Sequence, residues 1–397
     1  LFTILSSKML SAQRLISLSK PERVLPGHLF PLNNNRGLLD LEDVYAATVF
    51  ADSSVDGSDK EAKVVSPGSD GTQTMEGAKG QEIVGFGLFH KCTPNQFYCS
   101  LLSVSKHIEP LFVNVERVAE LKKSETEKEE NANKGTGRHI LLRLTDVHQS
   151  LPNLSSLPQY FSAFAEPIGR PLLQCILDEF VRVHVGIHEM ETRRNFTVDL
   201  YDADSGIDEH PDTQWRDFAG FVVADRFRYC EIELDSGAFL SSFDDNSLSV
   251  PVVLHSLSPS NRALFHDYDQ SVSVMGREEY LDFLLNLAGM EGVIAIDEQK
   301  KQPIGYILAY GGRVLQCYAD EEKVAGALFC AVCRAFRSPA SLSLFLRLSH
   351  DEFPLLSARL FGAASSVRRV RRFHSRSVPS AVKWAKVLAP AIGLHLF

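Results

Sequence analysis

The chain has 397 residues, 44% of them hydrophobic and 23% charged, with 41 basic against 50 acidic side chains and a formal net charge of −9. That length makes two domains or three, each able to bury a core, and the composition excludes a chain disordered throughout. The acidic balance excludes a general nucleic-acid coat, and no apolar run approaches the ~20 residues that span a bilayer, so the reading is a soluble protein.

Residues 1–35 read as an extension outside the fold. Lys8, Arg14, Lys20 and Arg23 stand among serines and leucines with no acid before Glu22. Such a stretch is similar to a mitochondrial transit peptide, and the alternatives are a mitochondrial address or a cytoplasmic protein with an irregular terminus. A helix is expected over Leu38 to Phe50, with Asp40 or Asp43 in its first turn. Residues 52–81, rich in Gly, Ser, Asp and Lys, read as a flexible excursion. Ile83 to Phe89 is a strand, Thr93-Pro94-Asn95 a turn, and Phe97 to Ser105 the hairpin partner. Residues 108–164 follow as an interruption expected to lie outside the first domain's core, with its charged run, Lys122 to Lys134, on a solvated loop.

Glu166 to Phe180 then gives a turn at Pro167-Ile168-Gly169 and a helix with Pro171 near its start. Leu172, Leu173, Ile176 and Phe180 recur at helical spacing, so one side packs inward. A glycine before a helix admits a close ligand, and the free amides of the first turn offer donors to an anion. An ordinary helix cap reads the same way.

Leu102-x-Val104, followed by Gly169-Arg170-Pro171-Leu172-Leu173, resembles the strand and phosphate loop of the GNAT superfamily of acetyl-CoA-dependent N-acetyltransferases. In that family the strand parts from its parallel neighbour and holds the cofactor arm by backbone amides, and the loop and helix hold the phosphates. The resemblance implies acetyl-CoA as cosubstrate, bound at Leu102, Val104, Gly169, Arg170, Pro171 and Leu172, with Asn195 to Leu200 as the neighbouring strand. Pro167 stands at a glycine position of the loop and removes a donor. Arg216 stands where many members carry the tyrosine that protonates the leaving thiolate. No catalytic acid or base is assigned; Asp199, Tyr201 and Asp202 at a strand end receive none.

Thr213 to Phe221 reads as a short helix and Arg228 to Leu234 as a strand. Beyond Val250 the elements start again. Phe265 to Val272, Gly276 to Leu281, the strands Gly292 to Asp297 and Pro303 to Tyr310, Gln316 to Asp320 leading into a helix Glu322 to Phe336, and Arg359 to Gly362 resemble the C-terminal domain of YitH/HolE-type acetyltransferases. Ile83-Val84-Gly85-Phe86 parallels Pro303-Ile304-Gly305-Tyr306, as in an internal repeat. The fold expected is α/β, two GNAT-like domains in tandem over 36–245 and 250–397, the first carrying insertions near 52–81 and 108–164. The function implied is N-acetyl transfer to a small-molecule or protein amine; the alternative is an inactive binding or scaffold protein of the same fold. Partners implied are acetyl-CoA and an amine acceptor, without nucleic acid or membrane.

Other motifs are weighed against plainer readings. Seven scattered cysteines, including Cys330-x-x-Cys333, suit reduced core thiols rather than a zinc site. His184 and His188 have helical ligand spacing but no third ligand, and no metal is expected. Arg368, Arg369, Arg371, Arg372 and Arg376 form either a basic face for an acidic substrate or the CoA phosphates, or an exposed strand alternating with Val367 and Val370. No Ser-His-Asp arrangement or Walker loop occurs.

Overall fold

The computed structural model describes residues 44–52, 81–105, 108, 112–122, 138–148, 170–181, 194–201, 221–243, 252–335, 341–349, 351–392 and 395–396. Packing divides the chain into two units, one drawn from Leu1–His90, Leu101–Thr192 and Phe218–Gly220, the other from Lys91–Ser100, Arg193–Asp217 and Phe221–Phe397. The architecture is a mixed, sheet-dominated α/β fold.

In the first unit, β1 (Val44–Asp52) lies between β2 (Gln81–Thr93), its antiparallel partner, and a parallel strand supplied from much later in the chain. The hairpin partner of β2 is β3 (Gln96–Val104), as the turn residues Pro94 and Asn95 require. The later strand is β5 (Arg138–His148), which pairs with β1 over Tyr45–Phe50 and antiparallel with β4 (Phe112–Lys122). A short β6 (Arg170–Pro171) pairs with β4 at Val113 and Phe112, and α1 (Leu172–Val181) starts at the next residue.

Two expectations are corrected here. The helix expected over Leu38 to Phe50 is replaced, from Val44 on, by β1. Val44, Tyr45, Thr48, Val49 and Phe50 are β-branched or aromatic, and Ala46, Ala47, Val49 and Phe50 are all buried, as in a central strand covered on both faces. The interruption 108–164 does not lie outside the core, because β4 and β5 come from it and Ile140, Leu141, Leu142 and Leu144 are buried. The charged residues sit between these strands and mask their alternation. Replacing Leu142, 0% exposed, with alanine is expected to cost about 2–5 kcal/mol in urea unfolding. A change near zero would return this segment to the surface.

The helix α1 covers β2 and β1. Leu172, Cys175, Ile176 and Leu177 are buried along one side; of the residues that sequence periodicity assigns to the core, Leu172 and Ile176 lie there and Leu173 is half-buried. Gly85 makes the approach possible: a β-carbon there would sit 3.0 Å from Ile176 Cδ1 and 3.2 Å from Leu172 Cδ2. On the outer side Arg117 pairs with Glu179 at 2.9 Å.

The second unit is built on a longer sheet. Its elements are β7 (Asn195–Tyr201), β8 (Val223–Ala224), β9 (Arg228–Asp235), α2 (Ser236–Ser241), β10 (Val252–Ser256), α3 (Arg262–Ser273), α4 (Glu278–Leu285), β11 (Met290–Asp297), β12 (Pro303–Tyr310), β13 (Arg313–Ala319), α5 (Glu322–Ala335), β14 (Ser341–Leu348), α6 (Pro354–Gly362), β15 (Ala364–His374) and β16 (Val387–Ala389). The strand order is β10-β11-β12-β13-β14-β9-β15-β7, and β7 then pairs with Gln96–Tyr98 of β3. Strands from distant parts of the chain therefore interleave: β9 pairs with β14 on one edge and β15 on the other, and β15 pairs with β7. The core forms where Val324, Leu328, Phe329 and Val332 of α5 meet Ile307, Cys317, Leu344 and Ile232 from the sheet.

Candidate functional site

Parallel neighbours need a crossover between them, and in two of the parallel pairs that crossover carries a helix. Between β3 and β7 the chain makes α1, and between β13 and β14 it makes α5. These two ladders are short beside the six parallel pairs of β1 on β5. The register of β3 on β7 runs Gln96↔Asn195, Phe97↔Phe196 and Tyr98↔Thr197; that of β13 on β14 runs Arg313↔Ser343 and Val314↔Leu344. Both strands of each pair continue past those described positions, β3 to Val104 and β7 to Tyr201, β13 to Ala319 and β14 to Leu348, and we term each parallel pair a fork.

The base of the first fork is locked by buried polar groups. Phe97 and Phe196 stack at 5.0 Å. Asn195 Nδ2 donates to Gln96 Oε1 at 2.7 Å, and Gln96 Nε2 donates to Thr197 Oγ1 at 2.9 Å. Thr197 Oγ1 lies 2.7 Å from His374 Nδ1, whose other ring nitrogen lies 3.3 Å from Asp225 Oδ2. With Gln96 donating, the consistent assignment is Thr197 donating to Nδ1 and His374 Nε2–H donating to Asp225. Burial pushes the Asp225 carboxyl up, but the hydrogen bonds from His374 and the Phe227 amide outweigh it and hold the group below its ordinary value. Thr197 and His374 are 0% exposed, so this Thr-His-Asp chain is closed to a substrate and acts as a clamp.

One step along β7, Asp199 receives the Tyr98 hydroxyl at 2.7 Å and two bonds from Arg372, Nε at 2.7 Å and Nη2 at 2.9 Å. Burial opposes the charge on Arg372, yet Asp199 beside it holds its pKa well above the ordinary value. The Arg372 guanidinium also lies 4.9 Å from the centre of the Tyr229 ring. Asp199 is thus a structural ion-pair partner. The basic stretch divides accordingly: Arg372 is buried, and Arg369 and Arg376 are exposed.

The expected cofactor residues are placed as follows. Leu102 and Val104 lie in the last part of β3, Val104 half-buried. The next amide, Ser105 N, donates to Val84 O at 2.8 Å. Arg170 and Pro171 form β6, so the helix begins at Leu172 rather than around Pro171. Leu172 is buried against Gly85, and α1 has no acid in its first turn. The end of β3 and the start of α1 therefore meet adjacent residues of β2, Val84 and Gly85. Gly169, Pro167, Asp202, Arg216, His184, His188 and the helix expected up to Gly220 lie outside the described residues.

The second fork differs at each point. On β13 the edge past the fork is taken by β16, in the register Cys317↔Ala389 and Tyr318↔Val387. The face nearby holds another buried pair: Arg277 Nε donates to Asp269 Oδ2 at 2.9 Å, Arg277 Nη2 to Tyr318 OH at 3.0 Å, and Tyr306 OH to Asp269 Oδ1 at 2.6 Å. Cys330 and Cys333 are buried on α5, and burial pushes their thiols up to about 11 and about 12, as in core thiols. Among the described residues no group of three His, Cys, Asp or Glu side chains is placed to hold a metal.

With the geometry in place, the chain can be compared with known proteins. Residues 31–223 match a domain of unknown function, DUF7596. No curated protein matches the chain. Among solved structures, a putative acetyltransferase from Pyrococcus horikoshii is similar at 12% identity and TM-score 0.41, covering 79% of this chain and 76% of its own. A tandem GNAT protein from the clavulanic acid biosynthesis pathway is similar at 10% identity and TM-score 0.37, covering 75% of this chain and 81% of its own. A functionally unknown protein from Staphylococcus epidermidis is similar at 13% identity and TM-score 0.35, covering 50% of this chain and 80% of its own. No helix among the described residues is long and apolar enough to cross a membrane.

Sequence reasoning missed the clamp Gln96–Thr197–His374–Asp225 and the Asp199–Arg372 pair. A signal for the second was present. Strand alternation puts Val370, Arg372 and His374 on one face of β15, so Arg372 shares a face with apolar Val370 and all three are buried.

Proposed function

We propose that the chain is an acetyl-CoA-dependent N-acetyltransferase of GNAT type, built from two GNAT-like repeats over 36–245 and 250–397, the second of YitH/HolE type, acting on a small-molecule or protein amine. The observation that carries this reading is the meeting of the β3 end and the α1 start on Val84 and Gly85 of β2. A strand edge and a helix opening, 67 positions apart between Ser105 and Leu172, are brought to neighbouring residues.

In this reading the backbone of Leu102 to Val104 holds the extended thioester arm. The phosphates in this reading are taken by main-chain amides of Gly169, Arg170 and Leu172, Pro171 having none to give, and the absence of an acid in the first helical turn leaves the partial positive charge there uncancelled. The reaction is attack of a neutral amine on the thioester carbonyl, forming the amide C–N bond and breaking the C–S bond, with CoA leaving as a thiolate that takes up a proton. The protein's part is to orient the two reactants and remove the ammonium proton. Asp199 is committed to Arg372 and Tyr98 and is given no part in that proton transfer.

Changing Gly169 to glutamate puts a side chain and a negative charge where the phosphates sit. Calorimetry is expected to show saturable acetyl-CoA binding by the native protein and a loss of at least about 100-fold in the variant, roughly 2.7 kcal/mol, with the melting temperature kept. Native protein that gives no saturable heat would remove the enzyme reading in favour of a scaffold. Unchanged binding by the variant would move the site elsewhere.

A further inference from the structure

We infer that the second fork is closed by the chain's own strand β16, which holds the β13 edge that an extended ligand would need, so that this fork takes no cofactor. The comparison with a cofactor arm rests on the function proposed above; the occupancy of the fork does not.

Past the parallel pair Val314↔Leu344, β13 turns its edge to β16 through Cys317↔Ala389 and Tyr318↔Val387. The strand is fixed from the other prong as well. Arg347 of β14, 2% exposed, donates from Nε to Val387 O at 3.0 Å and from Nη2 to Trp384 O at 2.7 Å, and Nη2 also meets Glu352 at 3.0 Å. Val387, Leu388 and Ala389 are all 0% exposed. A buried guanidinium bonded to two main-chain carbonyls of the insert would lose those acceptors if the insert left, and leaving such donors unmet in a buried place is costly. The insert is thus part of the core, unlike a lid.

Charge points the same way. The helix entry after β13 reads Asp320-Glu321-Glu322, three acids where a phosphate-binding turn would need free amides and no negative charge. The first of its amides is already engaged: Asp320 N donates to Ile304 O at 2.9 Å. Asp320 in turn receives Tyr268 OH and Lys386 Nζ, each at 2.7 Å, and Lys386 is the residue before β16. The acid that repels a phosphate also ties down the insert.

Hydrogen exchange and calorimetry on the full chain test this together. The amides of 387–389 are expected to exchange within about tenfold of those of 315–319 on β13, unchanged by saturating acetyl-CoA, with at most one acetyl-CoA bound per chain. Rapid exchange of 387–389, loss of their protection on adding acetyl-CoA, or two equivalents bound would overturn the inference. Protected amides with no acetyl-CoA bound at all would remove the enzyme reading and leave the closed fork standing.

Discussion

Replacing Arg372 with alanine is expected to destabilise the protein by about 3–5 kcal/mol in urea unfolding. The guanidinium is 2% exposed and meets both carboxylate oxygens of Asp199 at 2.7 and 2.9 Å, with Tyr98 as the third partner. Removing it takes both guanidinium donors from a buried carboxylate and opens a void beside Tyr229. The loss from breaking such a pair exceeds what the pair adds over a nonpolar filling of the same space. Asp199→Leu combined with Arg372→Met is therefore expected to recover most of the stability lost by Arg372→Ala. A double variant no better than the single one would show that the network positions β7 and β15 in a way that packing cannot replace.

Acid is expected to weaken the fold through His90. This side chain lies on β2, 2% exposed, and burial lowers its pKa from 6.5 to about 3. The native state keeps it neutral while the unfolded chain takes up a proton below 6.5, so the unfolded state binds more protons throughout that window. Stability from this site is level above pH 6.5 and falls as pH drops toward 3, by an amount on the order of 4–5 kcal/mol in all. His90→Gln removes the titration. The gap between native and variant stabilities should therefore close or invert between pH 7 and pH 4, and parallel curves across that range would rule His90 out as the source.

How much of this could be read in the sequence depended on distance along the chain. Strand β12 has the bounds expected for it, Pro303–Tyr310, and α5 starts at the expected Glu322 and is helical through Ala335, beyond which Phe336 lies outside the described residues. Both are local patterns, an alternating run and an amphipathic helix, each fixed by its own residues. The strand β1 was misread because Leu38, Leu39, Leu41 and Val44 also fit a helix; pairing with β2 and β5 decides the matter, and β5 begins 94 positions after β1. The first candidate site was legible as a helix with one apolar side, but not as residues brought onto Val84 and Gly85. The clamp joins Thr197 to His374, 177 positions away, and the closed second fork depends on a strand of three residues. Neither carries a period that a sequence can display.

The interleaving of β9 has a consequence for synthesis. One edge of β9, complete at Asp235, waits for β14 and the other for β15, which is complete only at His374. At ribosomal rates of 5–20 residues per second that interval is on the order of ten seconds, and contacts so far apart in sequence also slow closure of the sheet. Until β14 is complete at Leu348, Cys230, Ile232 and Leu234 stand on a strand with neither edge satisfied, and from there to His374 the β15 edge is still open. A nascent chain stalled between these points offers a sticky edge to other chains, so a chaperone that shields residues 228–235 would be needed longest during that pause.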